Sequence, residues 1–595
     1  MKLILAEKPS VAEDIAKALG GGVKEKDHIK VRQYIITWAY GHLLEIDDRI
    51  APEKWELESL PIFPQRFEYV VTNPHFYNIK KLLQKAEEVI IATDAGREGE
   101  LIARLILLKA GWNKWDKTYR FWTSQALTPE VVRKVLNNLR HAKEFDSLFW
   151  SALARQHADW IVGINMTRLA TLLAGNVGVW SIGRVQTPTL TLIVQRTQER
   201  ENFNPQPYYV IKAKFEKDGK TIDANLLVDS KALINSETEE DREENNEDRA
   251  FRLSEEKAKQ ILKRLEEEQF GEVVFTKRVK RTQPPPRLYS LTSLQRKANE
   301  VFGWSASKTL DILQRLYEKH KCVSYPRTDA EYLSEANKGL VKEVLKKLSA
   351  DSLISRVDTV GKRVFDDSKL TDHHAIIPLD VLPKIANKEE EMLYDLIKRR
   401  FLAVFMPDYV YLNYEVVIRL GEYKFIATGK KILELGWKKI EGGEDEEFDL
   451  SFVKKGDKLR KISCQSIKRW TKPPDAYTEG LLLKKMEKLN LGTPATRSTI
   501  IETLKKRGFI VSNRKHLIAT EKAKVLVKFL EGSSLLDYNL TSLWERKLEE
   551  IYTKRLGKKG YEAFLEDIKN LIRVEVEKLS LRKIEVRRRT PFYCP

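Results

Sequence analysis

The sequence predicts a multidomain protein in which an N-terminal α/β layer is joined to further α+β domains. Three observations carry that prediction. Two strand-then-helix units lie close to the N-terminus, the pattern turns helical near Lys143 and strand-like at Tyr208, and part of the chain repeats itself 188 residues later, with Pro285 falling on Pro473. At about 100 to 200 residues per domain, a chain of 595 residues holds about three to five domains.

The first unit begins with residues 2–7 (KLILAE), a buried strand. Ser10 and Glu13 then have the spacing of a capping box, opening a helix that ends before Gly20. The second begins with residues 88–93 (EVIIAT) and passes through a Gly-containing loop to an apolar helix at 101–110, stopped by Gly111. Parallel neighbours of this kind bring Glu7 and Asp94 to one carboxyl edge of a sheet, where open α/β sheets bind ligands.

Residues 152–173 continue the helical pattern, and YYVIKAKF from Tyr208 alternates as a strand does. Two acidic stretches, 237–248 (ETEEDREENNED) and 441–447, read as mobile solvated loops. The basic, Pro-containing stretches 277–287 and 468–474 read as linkers. In the repeat, Pro285-Pro286, Tyr289-Ser290, Leu294, Ile312, Leu316 and Val323-Ser324 correspond to Pro473-Pro474, Tyr477-Thr478, Leu482, Ile500, Leu504 and Val511-Ser512. Each copy predicts a Ser/Thr-capped helix, a second helix and a short strand, as in a helix-turn-helix or winged-helix unit. Beyond the match the copies diverge: Tyr325 and Arg327 stand where the second has Asn513 and Lys515.

The chain carries 105 Lys+Arg against 86 Asp+Glu, a net charge of +19, which favours a polyanionic partner. Apolar runs fall short of the roughly 20 residues that span a bilayer, and the N-terminus has no signal-peptide pattern, so the expected location is the cytoplasm. Three cysteines are too few for a disulfide framework or a four-cysteine zinc site.

Thr93-Asp94-Ala95-Gly96-Arg97-Glu98-Gly99-Glu100 supplies several carboxylates just after a strand, and Glu7 joins them across the edge. Oxygen ligands suit a hard cation such as Mg²⁺; carboxylates at a helix start are also favoured by its dipole alone. Tyr325-Pro326-Arg327 sets a phenol capable of attacking phosphorus near a guanidinium that can hold phosphate oxygens. Taken alone, one of 21 tyrosines at a turn is equally an ordinary amphipathic residue. Asp372-His373-His374 lacks the further ligands of a transition-metal site and suits a phosphate-contacting histidine. Residues 303–309 (GWSASKT) lack the second glycine of a phosphate-binding loop, so no ATP site is expected.

Together these stretches resemble the type IA DNA topoisomerases, within them the topoisomerase III group. Residues 289–329 (YSLTSLQRKANEVFGWSASKTLDILQRLYEKHKCVSYPRTD) are similar to the family's active-site segment almost throughout. LILAEKPSVA, ATDAGREGE, ADWIVGINMTRLAT, SIGRVQTPTL, DHHAIIP and LGTPATRSTIIETLKKRGFI also occur, in the family's order. The resemblance implies a Toprim domain at 1–150 and a gate domain with a winged-helix-like unit at 151–205 and 475–595. It further implies a β-rich arch at 206–280 and 405–474 and a winged-helix-like domain carrying the nucleophile at 281–404, the whole forming a toroid. It implies ATP-independent, Mg²⁺-dependent cleavage of single-stranded DNA through a 5′-phosphotyrosine, then strand passage and religation, relaxing negative supercoils or decatenating DNA.

By the same resemblance Tyr325 is the nucleophile, Arg327 and Lys8 stabilise the scissile phosphate, Glu7 protonates the leaving oxygen and His373 contacts phosphate. Glu7, Asp94 and Glu98 hold Mg²⁺, while Asn165, Arg168, Arg184, Gln186 and Thr496 line the single-strand groove. The implied partners are single-stranded, supercoiled or catenated chromosomal DNA and a helicase, with a monomer expected. Two features depart from the family's pattern. Gly96 replaces the second aspartate of Asp-x-Asp-x-Glu, leaving water or Glu100 to compensate. The chain ends in Arg587-Arg588-Arg589 and Phe592-Tyr593-Cys594-Pro595, similar to the start of a zinc-ribbon tail, so Zn²⁺ is expected only if a module follows Pro595. The family's decatenation loop is not assignable, because 237–248 is acidic. Rival readings are a Toprim nuclease or primase, which leaves the tyrosine segment unexplained, and a catalytically weakened DNA clamp.

Overall fold

Residues 3–6 (LILA) and 89–92 (VIIA) are apolar at every position, a pattern that suits strands covered on both faces. The computed structural model, which describes residues 1–123, 127, 129–228, 251–370, 373–443 and 446–584, buries both stretches. They form β1 (Lys2–Ala6) and β7 (Glu88–Ala92). The intervening strands are β2 (Val23–Lys24), β3 (Ile29–Val31), β4 (Tyr34–Trp38), β5 (Leu44–Ile46) and β6 (Tyr69–Val71), and β8 (Thr118–Arg120) and β9 (Arg140–His141) follow. The sheet runs β2-β3-β4-β1-β7-β8-β9. β1 lies parallel to β4 and β7, with Ala6 opposite both Trp38 and Ala92, so Glu7 and Asp94 leave the same carboxyl edge as expected.

Helices α1 (Pro9–Ala18) and α4 (Pro129–Asn137) cover one face of the sheet, α2 (His75–Lys85) and α3 (Arg97–Ala110) the other. Two helix starts differ from the sequence reading. The capping box at Ser10 and Glu13 is not formed, because Pro9, pre-set for a helix and lacking an N–H, takes the first helical position with Lys8 as N-cap. Glu13 instead pairs with Lys24 at 2.6 Å and Lys321 at 3.5 Å. α3 begins at Arg97, so Glu98 and Glu100 belong to its first turn; it ends at Gly111, whose φ of 82° needs no Cβ.

α5 (Asp146–Leu173) has no single apolar stripe because it belongs to two cores. Phe149, Ala152 and Leu153 pack against the sheet domain, and Ala154 to Ala170 form the spine of a second body. Residue 150 therefore falls inside a continuous helix. That body adds α6 (Gln186–Glu201) and, far along the chain, residues 477–584. The polar side chain of Asn165 is fully buried in α5, where its Oδ1 accepts from Ile62 N at 2.5 Å and its amide donates to Ile62 O at 2.9 Å.

A closed six-stranded barrel is formed by β10 (Pro207–Lys217), β11 (Lys220–Leu226), β12 (Phe270–Gln283), β13 (Tyr409–Leu420), β14 (Tyr423–Glu434) and β15 (Lys458–Trp470), with α7 (Glu255–Leu265) against it. Residues 277–283 and 468–470, read as linkers, are strand ends of this barrel; Lys277, Arg278, Lys280 and Arg281 are all exposed on a laddered backbone. Glu441 and Glu447, read as part of a solvated loop, are tied down, the former to Arg400 (Nη2 to Oε2, 3.1 Å) and the latter by Ile432 N at 2.6 Å. The acidic stretch 237–248 lies outside the described residues, as do Asp372 and the tail from 585.

The repeat is real in the fold. Its first copy is α8 (Leu291–Phe302) and α9 (Ala306–Glu318), followed by α10 (Lys338–Lys347), α11 (Lys388–Ala403) and the short α12 (Lys438–Glu441). Its second is α13 (Glu479–Lys488) and α14 (Pro494–Lys506), then the hairpin β16 (Ile510–Asn513) and β17 (His516–Ala519), followed by α15 (Glu521–Phe529), α16 (Tyr538–Thr553) and α17 (Gly557–Ser580). Ser290 and Thr478 cap the corresponding first helices. Only the second copy has a strand pair, turning at Arg514 with φ of 54°; in the first, Val323 makes a single bridge to Pro378 before Pro326 turns the chain away.

The bodies touch in a closed circuit. Ile62 and Asn165 join sheet to helical body, Gln206 N donates to Thr471 Oγ1 where the latter meets the barrel, Arg400 and Glu441 join the barrel to α11, and Lys8 and Tyr325 close the circuit. Asn165→Ala would strand the buried N–H and C=O of Ile62, an expected loss of about 2–4 kcal/mol. The expected outcome is a lower urea midpoint; an unchanged midpoint would refute this role.

Candidate active site

Tyr325 is held from behind by its own domain. Ser324 Oγ donates to Ala375 O at 3.0 Å and accepts from Ile377 N at 2.9 Å, fixing the tyrosine beside the 373–378 segment. Its ring packs on His373 (centroids 4.1 Å apart) and meets Tyr317 edge-on at 5.7 Å. From the sheet domain, Lys8 Nζ donates to Tyr325 Oη at 3.2 Å. Burial, followed by the Asp94 and Glu7 carboxylates, holds the phenol far above its ordinary pKa, with Arg327 opposing. Arg327 itself is exposed and forms neither a hydrogen bond nor an ion pair with a described residue. It lines a cleft of about 800 Å³ with Glu7, Lys8, His42, Glu98, Arg155 and Thr496.

Glu7 is 8% exposed and accepts from Asp94 N at 3.0 Å. Burial, then repulsion from Asp94, outweigh the Asp94 N–H and Lys8 and push Glu7 up to about 6. Asp94 moves the other way: burial would raise it, but His373, whose Nε2 lies 3.7 Å from Oδ2, together with Lys8 and Arg120 brings it below the ordinary range. A proton arriving at this pair therefore rests on Glu7. Glu98 accepts a hydrogen bond from His42, which outweighs burial and keeps it below the ordinary range.

Glu100 is not available to replace the missing carboxylate at Gly96. It is fully buried between Arg104 Nε at 2.8 Å and Arg120 Nε at 2.9 Å. Arg120 also reaches the carbonyls of Thr93 at 2.7 Å and Asp94 at 2.6 Å, shaping the loop from beneath. Gly99 permits the approach from above, since a Cβ there would lie 2.2 Å from Asp94 O.

Glu7, Asp94 and Glu98 offer only oxygen donors, and repulsion by Asp94 and Glu98 contributes to raising Glu7, a strain that a bound hard cation relieves. They fit Mg²⁺ in charge and donor type, although Glu98 is turned to His42. Among the described residues the only three acidic or histidine side chains already within ligand spacing are Glu25, Asp27 and His28, between the outer strands β2 and β3 and apart from the Glu7, Asp94 and Glu98 group.

A DNA topoisomerase family model matches residues 143–565, and a Toprim domain model matches residues 2–125. DNA topoisomerase 3 of Bacillus subtilis is 36% identical over 95% of this chain and 80% of its own length; that of Bacillus licheniformis is 36% identical over 100% and 84%. The chain belongs to the type IA DNA topoisomerases. The full-length topoisomerase I structure from Thermotoga maritima superposes with a TM-score of 0.72 at 25% identity, covering 96% of this chain and 90% of that one. The toroidal fold class with its Toprim layer follows, and with it the reaction class: the topoisomerase cleaves single-stranded DNA, passes a strand and religates. Among the described residues no helix is long and apolar enough to cross a membrane.

The residues expected in the topoisomerase's single-strand groove divide. Thr496 lines the active-site cleft, though its hydroxyl also accepts from Thr493 N at 2.9 Å. Arg184 faces a neighbouring cavity and pairs with Asp159 at 2.7 Å and Glu545 at 3.2 Å. Asn165 and Arg168 do not line a groove: both are buried, Asn165 on Ile62 and Arg168 on Pro52 O at 2.7 Å. Gln186 donates to Ser181 Oγ at 2.8 Å. Asn165 has its amide spent on backbone, whereas Arg168 Nε is buried without a hydrogen-bond partner among the described residues. Sequence reading missed His42, Arg120 and Tyr317. His42 was findable, since β4 is a third parallel strand ending at the same edge.

Moving a carboxyl from 4.5 to about 6 means that its ionised form costs the fold about 2 kcal/mol. The cost is absent below about pH 4.5, sets in as pH rises towards 6 and is full above it. In EDTA, Glu7→Gln is therefore expected to be more stable than the parent by about that amount at pH 8 and equal to it at pH 4. Thermal unfolding at both pH values checks this; an equal gain at pH 4 would refute the assignment.

Proposed function

We propose that Tyr325 is the nucleophile of this topoisomerase and that Lys8, Arg327, Glu7 and His373 complete the catalytic group. The observation that carries the reading is the Lys8 to Tyr325 hydrogen bond, made between two domains and beside the acidic edge. Tyr325 Oη attacks the scissile phosphorus, its proton passes to water, and a 5′-phosphotyrosine forms. Lys8 and Arg327 balance the charge that builds on the phosphate oxygens. Glu7, the carboxyl on which a proton rests, donates to the departing 3′-oxygen and recovers that proton on religation. The phosphotyrosine ester conserves the bond, so ATP is not required. His373 contacts phosphate while its Nε2 keeps Asp94 ionised.

Glu7, Asp94 and Glu98 would hold Mg²⁺, with His42 releasing Glu98. When bound, the ion supplies positive charge to the phosphate and the leaving oxygen. We propose the division into a Toprim domain (1–150), gate (151–205 and 475–595), arch (206–280 and 405–474) and tyrosine domain (281–404), with α5 shared across the first boundary. Arg184 and Thr496 receive the single strand, whereas Asn165, Arg168 and Gln186 act by positioning. The enzyme works on chromosomal DNA as a single chain.

The test is relaxation of a negatively supercoiled plasmid with Mg²⁺ and without ATP. The parent protein is expected to relax it and, on denaturant quenching, to remain linked to a 5′ DNA end. Tyr325→Phe is expected to lose both, and Lys8→Ala to slow cleavage about 10²- to 10³-fold. A 5′ adduct that persists in Tyr325→Phe would overturn the assignment. Intact supercoils with both proteins, despite strand binding, would favour the DNA clamp.

A further inference from the structure

Beside the catalytic cleft lies a second cavity of about 510 Å³, and Arg155 and Thr493 line both. Its wall gathers Arg97, Arg155 and Arg497 from three helices, α3, α5 and α14, and Arg184 from the segment before α6. Glu545 of α16 enters among them. Its Oε2 accepts from Arg97 Nη2 at 3.0 Å and its Oε1 from Arg184 Nη1 at 3.2 Å, while Arg155 Nε remains 3.9 Å away. The arginines are not fully used by this arrangement: Arg97 Nη1 is buried without an acceptor, and Arg155 is beyond hydrogen-bonding distance of Glu545.

A carboxylate presents two oxygens in a plane, whereas a phosphodiester presents two anionic oxygens and two ester oxygens around a tetrahedral centre. The second shape can engage donors on three sides, which is what these three guanidinium groups offer. We propose that in the DNA-free enzyme Glu545 occupies the position of a backbone phosphate of the single strand, and that strand loading exchanges the carboxylate for the phosphate on Arg97, Arg155 and Arg184. This inference rests on the reading that the neighbouring cleft binds single-stranded DNA. Glu545 is then a built-in competitor. It keeps the arginines paired and ordered while the groove is empty, and it lowers affinity for the strand by the fraction of time it holds them. An enzyme that must release its strand after religation gains from such a counter-ion, because the departing phosphate is replaced at once rather than leaving Arg97 and Arg155 without a counter-charge, while Arg184 keeps Asp159 throughout.

The test compares Glu545→Gln with Glu549→Gln, which removes the same charge from the same cavity but no partner from these arginines. A fluorescein-labelled oligothymidylate is titrated with the full-length proteins, and binding is read by anisotropy at about 0.1 M salt. Glu545→Gln is expected to bind about 5- to 10-fold tighter than the parent, and Glu549→Gln to change affinity less than 2-fold. In a second measurement, the melting temperature of Glu545→Gln without DNA falls below that of the parent and rises further on adding the oligonucleotide. Adding Arg97→Ala to Glu545→Gln removes most of the gain.

Weaker binding by Glu545→Gln would show that the carboxylate merely orders the arginines and would overturn the proposal. So would equal gains in the two Gln variants, which would reduce the effect to net charge. A parent protein that does not hold the oligonucleotide at all would refute the DNA-cleft reading itself, and the inference with it.

Discussion

The acidic edge depends on one buried ion pair. Arg120 and Glu100 are both fully buried, and removing either partner alone would leave an uncompensated charge in the interior. What holds Arg120 in place is that all three of its nitrogens donate: Nε to Glu100, Nη1 shared among the carbonyls of Ile91, Thr93 and Phe121, and Nη2 to that of Asp94. Those carbonyls belong to the end of β7, the adjoining β8 and the loop that follows, so the guanidinium fixes the path of the backbone at Asp94. From the opposite side Gly99 lets the first turn of α3 close onto the same residue. Clamped in this way, Asp94 points its N–H at Glu7, and the two carboxylates titrate in opposite directions because one faces His373 and the other lies deeper and faces its neighbour.

Against that rigid edge Tyr325 is mounted on a separate body. Ser324 binds Tyr325 to the 373–378 segment twice over, while the direct hydrogen bonds and ion pairs of this segment across to the sheet domain are few: Lys8 to Tyr325, His373 near Asp94, and Lys321 near Glu13. Contacts of this kind contribute on the order of 1 kcal/mol each in net terms. The tyrosine domain is also bonded to the helical body, where Ala306 N donates to Glu479 Oε2 at 2.7 Å and Arg497 Nη1 to Thr292 Oγ1 at 3.0 Å, both buried, so the seam with the sheet domain is the more lightly bonded of the two.

How much of this was legible in the sequence follows from how local each signal is. β1 and β7 could be read because a strand buried on both faces needs an uninterrupted apolar run, and their parallel pairing followed from the helix between. The repeat was visible because capping residues and core positions recur at a fixed offset. The start of α1 was misread because Pro9 and Ser10 each signal a helix start, and proline's fixed backbone prevailed. The ends of β12 and β15 fall in the stretches 277–287 and 468–474, which read as linkers because they are basic and proline-containing; their order comes from partners more than a hundred residues away. Arg120 carried no signal at all, since nothing around it in sequence shows that it will be buried on a glutamate twenty residues earlier.

The groove residues show the same limit from the other side. Asn165 and Arg168 stand in a motif similar to the family's, and similarity alone assigns them to DNA, yet both are committed to backbone carbonyls and, for Asn165, to a backbone N–H. A buried amide that satisfies both polar groups of Ile62 leaves little freedom to read a nucleic acid and serves to place the loop at Ile62. Of the incompletely paired guanidinium groups, Arg97 beside Glu545 and Arg327 border the two neighbouring cavities. A net charge of +19 says only that a polyanion is welcome. Which arginines are free to receive it is decided by the carboxylates that fold against them.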